Sequence, residues 1–170
     1  LEYYAYSGFL NFAVSLSIAI IIFIKQPRLP VARLFGVFAL LISAWAFFYF
    51  LWLRVIDNPS RAHFLVRTCC VAVVLMPPVF FHFVSLLTDR VRLKSFHRIN
   101  YLVSWLLALS VYTPAFSPNV FQIGVFPFWP EPGPTFWIHL LCQMTPCVVV
   151  GLWLIGNTAL KHEGRVRQQL

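Results

Sequence analysis

Residues 89–100 read DRVRLKSFHRIN, and residues 118–135 read PNVFQIGVFPFWPEPGPT. The first stretch is rich in lysine and arginine, whereas the second contains neither. Both stretches connect long apolar runs. Because lysine and arginine concentrate in the cytoplasmic loops of membrane proteins, this contrast predicts that the chain crosses a bilayer, and it indicates in which direction.

The composition supports a membrane protein. Charged residues make up 11% of the 170 residues, hydrophobic residues 60%, and the mean hydropathy is +0.79. Soluble domains contain about 25% charged residues, so an ordinary soluble protein is excluded. The apolar runs are continuous rather than alternating, which also excludes the strands of a membrane β-barrel.

The runs predict an all-α fold, a polytopic membrane bundle of five transmembrane helices in a single domain over residues 1–170. A helix needs roughly 20 apolar residues to cross a bilayer, and the fourth run is short unless it takes residues from its flanks. Because the chain begins without Met and stops after a basic stretch, we expect it to be truncated before further helices. The predicted helices are 7–24, 34–53, 68–87, 100–117 and 136–159.

The distribution of basic residues predicts the orientation. Of the 13 lysines and arginines, all but Arg54, Arg61 and Arg67 lie in the first connection, the third connection and the C-terminal tail. These segments are therefore predicted to be cytoplasmic, with the N-terminus outside. The net charge of +8 is thus a signal of topology and of contact with lipid headgroups. Nucleic-acid binding is not predicted, since it would need the cations on one folded face.

Prolines occur at two kinds of position that bear on function: inside predicted helices, and in one proline-rich connecting segment. Pro77, Pro78 and Pro146 lie inside predicted helices, where a missing N–H kinks the helix; a static kink and a moving hinge both remain open. Residues 127–134 contain four prolines, which excludes a helix and predicts an extended or turned segment over the outer mouth of the bundle. A lid on a pocket and a static cap over helix ends are equally compatible with this segment.

Polar side chains within membrane spans are candidates for function. His82 and Asn11 are intramembrane polar residues for which hydrogen bonds to neighbouring helices are the simplest interpretation. A second set shares a similar depth near the outer side and is predicted to bind a small amphipathic ligand. This candidate ligand-binding set is Arg67, Tyr112, Trp137, His139 and Gln143.

No cofactor and no metal site are predicted. His82 and His139 differ in predicted depth by about 16 Å, at 1.5 Å per helical residue, so they cannot ligate one haem together. The cysteines lack a C-x-x-C motif; buried free thiols are the simplest expectation, and a disulfide between Cys69 or Cys70 and Cys142 is the alternative. No catalytic set is visible in this segment, which leaves open whether the full-length protein is an enzyme.

Several motifs together resemble the seven-helix N-terminal region of bacterial sensor histidine kinases. They are Ala-Trp-Ala at 44–46, Met-Pro-Pro-Val-Phe-Phe-His-Phe at 76–83, Trp-Pro-Glu-Pro-Gly-Pro at 129–134 and Arg-Val-Arg-Gln-Gln-Leu at 165–170. The resemblance covers most of the chain, but only five of the seven helices are present. Neither a phosphoacceptor-histidine motif nor an ATP-binding motif is found in these residues.

The resemblance implies a sensory input module of a signal-transducing receptor in the bacterial inner membrane. Such a module would detect a small or membrane-borne signal and pass a helix shift to a cytoplasmic output, and it would act as a homodimer. The alternative is a structural or accessory subunit that docks in a larger integral-membrane complex. A small transporter or channel is disfavoured by the lack of intramembrane acids and of related halves.

Overall fold

The computed structural model describes residues 1–89 and 93–169, with side chains described up to residue 160. The helices are α1 (Glu2–Lys25), α2 (Pro30–Leu53), α3 (Pro59–Leu87), α4 (Lys94–Ser110) and a fifth helix. The fifth helix is α-helical over Pro134–Ile138, π-helical over His139–Met144 and α-helical again over Thr145–Gln169. The predominantly helical fold is as predicted. Arg90 and Arg92, on which part of the predicted orientation depends, lie outside the described residues.

Three prolines of the connections begin helices instead of lying in loops. Pro30, Pro59 and Pro134 each occupy the first turn of a helix, where the missing N–H would have no partner anyway. At α3 the side chain of Asn58 also accepts a hydrogen bond from the Arg61 N–H at 2.9 Å, which caps the helix. The predicted starts at 34, 68 and 136 were therefore too late, and α3 is longer than predicted by about two turns at its N-terminal end.

The fourth helix lies closer to the N-terminus than its predicted range of 100–117. It begins at Lys94 and ends at Ser110, because the backbone then turns and the Thr113 hydroxyl and N–H both bond the Ser110 carbonyl. Its 17 residues extend only about 26 Å, less than the roughly 30 Å of a hydrocarbon core. Four of the described helices are long and apolar enough to cross a membrane: α1, α2, α3 and Pro134–Leu160.

Small side chains allow α1 and α2 to approach closely as an antiparallel pair. The Ser43 hydroxyl donates across this interface to the Phe12 carbonyl at 3.3 Å, and a Cβ at Gly8 would lie 2.9 Å from the Tyr49 ring. Small residues at contact faces and large apolar residues outside are typical of membrane helix packing. The buried small residues are Ala5, Gly8, Ser15, Ala19, Gly36, Ala39, Ser43 and Ala46.

Helix α3 is the centre of the bundle. It contacts α2, α4 and the fifth helix, and 44% of its spanning segment is buried, compared with 17% for α1. Pro77 and Pro78 are both buried, and the helix continues through them from Pro59 to Leu87. Any shift of α3 would therefore change its contacts with α2, α4 and the fifth helix.

A β-hairpin that the sequence analysis did not predict covers one end of the bundle. The orientation predicted from the basic residues would place this end outside, so we name it the outer end and the opposite end the inner end. Strands β1 (Val120–Ile123) and β2 (Phe126–Pro130) pair antiparallel around a turn in which Gly124 has φ of +51°, a conformation that glycine adopts without cost. The Trp52 indole N–H donates to the Phe128 carbonyl at 2.9 Å and attaches the hairpin to α2. The extended conformation predicted for 127–134 is thus confirmed up to Pro130, and the stretch ends as the fifth helix begins.

Candidate ligand pocket and polar network

A cavity of about 220 Å³ lies beneath the hairpin at the outer end of the bundle. Its walls come from α3, from the segment after α4, from the hairpin and from the first turn of the fifth helix. Most of them are apolar or aromatic, with Arg67 and Glu131 as the charged members. The lining residues are Val66, Arg67, Cys70, Phe116, Ser117, Trp129, Pro130, Glu131, Pro132 and Phe136.

Arg67 connects α3 to the segment that follows α4. Its Nη1 donates to the Tyr112 carbonyl at 2.9 Å, and its Nη2 donates to the Ser117 carbonyl at 2.5 Å. Its Nε is buried and has no hydrogen-bond partner among the described residues. Two N–H groups of the guanidinium therefore connect α3 to the segment after α4. The Nε–H donates to no group among the described residues.

The backbone of the fifth helix joins the same wall. The Gly133 N–H donates to the Phe116 carbonyl at 2.8 Å and the Thr135 N–H to the Ala115 carbonyl at 3.0 Å. The two backbones are so close at this point that a Cβ on Gly133 would collide with the Ala115 carbonyl oxygen. Only glycine fits at this approach, which gives a physical reason for the Pro-Gly before the fifth helix.

A buried polar network joins the fifth helix to α4, deeper in the bundle. His139 Nδ1 and Gln143 Oε1 are 2.7 Å apart. The Gln143 amide donates to Ser104 Oγ and, at 3.5 Å, to Asn100 Oδ1. The Asn100 amide in turn donates to Cys147 Sγ at 3.0 Å. All of these side chains are at most 8% exposed.

The network determines which nitrogen of His139 carries the proton. Ser104 Oγ donates to the Asn100 carbonyl, so it accepts from the Gln143 amide, and Gln143 Oε1 must face His139. In the neutral imidazole, Nδ1 is then the donor and Nε2 the acceptor. That Nε2 is buried and has no partner among the described residues.

The π-helical segment explains how these side chains share one face. Pro146 lacks an N–H and its ring would clash with the carbonyl four residues earlier in an α-helix; the wider π turn accommodates it. The Thr145 hydroxyl bonds the Leu140 carbonyl, five residues back, at 2.7 Å. With the wider turn, residues four apart stay aligned, and His139, Gln143, Cys147 and Gly151 are all buried. Such segments occur often at functional sites.

A second polar cluster lies toward the inner end, between α3 and α4. The rings of His82 and His97 stack with centroids 4.4 Å apart, and His82 Nδ1 is 3.2 Å from the Tyr101 hydroxyl. Nearby, a cavity of about 690 Å³ opens between α3, α4 and the fifth helix, with Phe81, Phe96 and Trp153 among its walls. The hydrogen bond expected from His82 to a neighbouring helix is present, and its stacking on His97 was not predicted.

The five predicted ligand-binding residues fall into separate places. Arg67 lines the outer pocket. The Tyr112 carbonyl accepts a hydrogen bond from Arg67, and the Tyr112 hydroxyl is hydrogen-bonded to Thr68 Oγ1. His139 and Gln143 belong to the buried network instead. Trp137, on the fifth helix, is 48% exposed and does not line the pocket. Sequence reasoning missed the pocket residues Phe116 and Phe136, because aromatic side chains are abundant in every helix of this chain.

Two further predictions about individual side chains need correction. Asn11 was expected to bond a neighbouring helix, but its side chain accepts from Ser15 Oγ, at 3.1 Å, on α1 itself. Cys69, Cys70, Cys142 and Cys147 are all free, so the alternative of a disulfide to Cys142 is wrong. Cys142 is exposed.

Residues 9–170 match the sequence profile of a family described as the N-terminal 7TM region of histidine kinase. The match covers nearly the whole chain and agrees with the resemblance drawn from the motifs. No curated protein matches the chain. No solved structure matches it either.

Proposed function

Because the chain belongs to the family of N-terminal 7TM regions of histidine kinases, we propose that it detects a small or membrane-borne signal at its outer pocket. It is a multi-pass integral membrane protein and a sensory input module of a kinase. In our proposal, occupation of the pocket shifts the fifth helix, and that shift reaches the cytoplasmic output. The same proposal locates the protein in the bacterial inner membrane.

One observation supports this mechanism above the others. Phe136, in the first turn of the fifth helix, is a wall of the outer pocket, and the same helix continues to the inner end of the bundle. A ligand that presses on Phe136 therefore acts directly on the element that leads inward. Neighbouring α3 also contributes a wall residue, Arg67, so the pocket lies between the two helices whose relative shift the proposal requires.

The response of the full-length kinase tests the pocket. We expect Phe136→Ala to weaken the response to the signal by about tenfold, because it removes an aromatic wall worth roughly 1–2 kcal/mol of ligand contact. The measurement is autophosphorylation in membrane vesicles against signal concentration. Trp137→Ala is the matched control, since this adjacent aromatic is exposed outside the pocket. If Trp137→Ala weakened the response and Phe136→Ala did not, the predicted ligand-binding set would be favoured over the pocket.

We place the hinge of this shift at Pro146, with Pro77 and Pro78 on α3 as the secondary position. Restoring an N–H with Pro146→Ala lets the π turn tighten to α, which rotates His139 and Gln143 relative to Cys147. The variant is expected to be locked in one output state, with autophosphorylation that no longer varies with signal. Pro77→Ala with Pro78→Ala should bias the output less, since α3 continues through both residues. A wild-type response from Pro146→Ala would show that this proline is a static kink and not a hinge.

We also propose five crossings with the N-terminus outside, as a homodimer in contact with anionic lipid. This topology is supported by the basic residues of the flanks that are predicted to be cytoplasmic. It is also supported by the order of the helices, since consecutive helices run in opposite directions. Single cysteines introduced at Gln122 and at Ser95, in a chain whose own cysteines are replaced, should behave oppositely toward a membrane-impermeant maleimide. We expect labelling of Gln122→Cys in intact spheroplasts, and of Ser95→Cys only after lysis. Labelling of Ser95→Cys in intact cells would overturn the topology.

A further inference from the structure

We infer that the β-hairpin lies in the interfacial region of the bilayer and inserts Phe121 and Ile123 at the boundary between lipid headgroups and acyl chains. The partner of this surface is therefore a lipid bilayer. The inference depends on the membrane-spanning helices and is independent of the proposed ligand pocket. It follows from the exposed apolar side chains of the hairpin, the face that they share, the contact of the hairpin with α1 and its lack of charge.

The first strand and the turn of the hairpin expose large apolar side chains. Phe121 and Ile123 on β1 are 42% and 45% exposed, and Val125 in the turn is 61% exposed. Scattered apolar side chains are normal on a protein surface, but adjoining ones indicate a surface that a partner molecule or a membrane covers. The hairpin therefore presents an apolar patch that the described helices leave open.

Cross-strand pairing shows which way this patch faces. Phe121 pairs with Trp129, and Ile123 pairs with Phe126; residues directly opposite each other lie on the same face of a sheet. The register shifts between these two pairs, which lets residues three apart on β2 share that face. The rings of Trp129 and Phe126 lie 5.6 and 6.4 Å from the Trp52 ring of α2. On β2 this face thus rests on the bundle, and on β1 the same face is exposed.

The contact with α1 indicates the depth of the hairpin. The Phe126 ring lies 5.4 Å from the ring of Tyr4, which is in the first turn of α1, with the exposed Tyr3 and Tyr6 near it. Tyrosine rings are enriched at the membrane–water interface, at the level of the headgroups. From Phe9 inward, α1 exposes large apolar side chains, as a lipid-facing helix does. The hairpin therefore lies where the lipid-facing surface of α1 begins, and its apolar patch continues that surface.

The composition of the hairpin also favours an interface over water. Residues 118–130 contain no charged side chain, whereas edge strands that face water are commonly protected by charged residues. Gln122 is the only polar residue of β1, and it alternates with Phe121 and Ile123, so it lies on the opposite face. One apolar and one polar face suit a strand that lies flat between lipid and water.

A scan with nitroxide labels tests the position of the hairpin. Single cysteines replace Phe121, Gln122 or Ile123 in the full-length kinase whose own cysteines are replaced, and each variant is labelled in vesicles of phosphatidylethanolamine and phosphatidylglycerol. Collisions with oxygen, which concentrates in lipid, and with a nickel chelate, which stays in water, give the depth of each label. We expect the Phe121→Cys and Ile123→Cys labels about 5–10 Å into the interface, as for the apolar faces of other interfacial elements. The Gln122→Cys label, the matched control, should lie in water.

Two results of this scan would overturn the inference. If the nickel chelate reached Ile123→Cys as readily as Gln122→Cys, the hairpin would lie in water. If neither oxygen nor the nickel chelate reached Ile123→Cys, protein would cover this face, either a second copy of the chain or another part of the kinase.

A second label tests whether the two apolar side chains hold the hairpin in the interface. A nitroxide at Val125→Cys reports the depth of the turn, and we expect it at the level of Ile123. Serine at both Phe121 and Ile123 should raise the collision rate of this label with the nickel chelate to that found at Gln122→Cys. Gln122→Ser, on the opposite face, should leave the rate unchanged. An unchanged rate in the double serine variant would show that lipid does not hold the hairpin, and would overturn the inference.

Discussion

Replacing Gln143 with leucine is expected to lower the free energy of unfolding by about 2 kcal/mol. Gln143 bonds His139 and Ser104 at once, and both are almost completely buried. A single hydrogen bond between membrane helices averages only about 0.6 kcal/mol. Leucine, however, leaves a buried donor on His139 and breaks the bond to Ser104, and each unsatisfied buried group costs about 1–3 kcal/mol. The penalty therefore exceeds the value of the two bonds alone.

Unfolding by denaturing detergent, followed by tryptophan fluorescence, measures this effect. Met144→Leu is the matched control, because Met144 is the adjacent residue, is exposed, and should change the unfolding free energy by less than about 0.5 kcal/mol. The double variant His139→Leu with Gln143→Leu should recover at least about 1 kcal/mol relative to the sum of the single effects, since it removes the orphaned donor. Additive losses would mean that the two side chains are not coupled.

Gly133→Ala is expected to destabilise the outer end by about 1–3 kcal/mol, the usual cost of forcing extra volume into a packed site. The added Cβ would collide with the backbone at Ala115 and Phe116, and a backbone cannot move aside as a side-chain end can. We expect the bonds from Gly133 to Phe116 and from Thr135 to Ala115 to break together. The hairpin and the start of the fifth helix should then separate, and the outer pocket should open.

Thermal unfolding in detergent micelles gives the size of this loss, and Gly156→Ala provides its control. A Cβ at Gly156 would meet nothing within 4 Å, and alanine in a helix interior is favoured over glycine by about 0.5–1 kcal/mol. The two substitutions should therefore move the midpoint in opposite directions. Similar effects from both would indicate that the close approach at Gly133 is not a constraint on the fold.

The long helices could be predicted because each depends on its own segment. Their lengths and hydropathy satisfy the bilayer residue by residue, so α1, α2, α3 and the fifth helix all contain their predicted ranges. The errors lie at the ends, where Pro30, Pro59 and Pro134 begin helices. The hairpin was missed although Gly124 between apolar neighbours is a turn signal, because its strands are short and one of them contains two prolines.

One part of the polar network, the polar face of α4, could be predicted from the sequence. His97, Asn100, Tyr101 and Ser104 follow a helical spacing on α4 and so predict one polar face, but His97 lay before the predicted start of that helix at residue 100. The partner of that face could not be predicted. Gln143 is 39 residues from Ser104, and a π turn aligns it with Cys147.

The sequence by itself determined that the chain is a bundle of membrane helices, because the thickness and dryness of a bilayer restrict each segment independently of the others. It also identified the basic flanks from which an orientation is predicted. The tertiary structure alone decided that Arg67 lies beside Ser117, 50 residues away, and that Phe136 completes the pocket. Those contacts depend on how helices rotate about their axes and on how closely their backbones approach, and neither property belongs to any single segment.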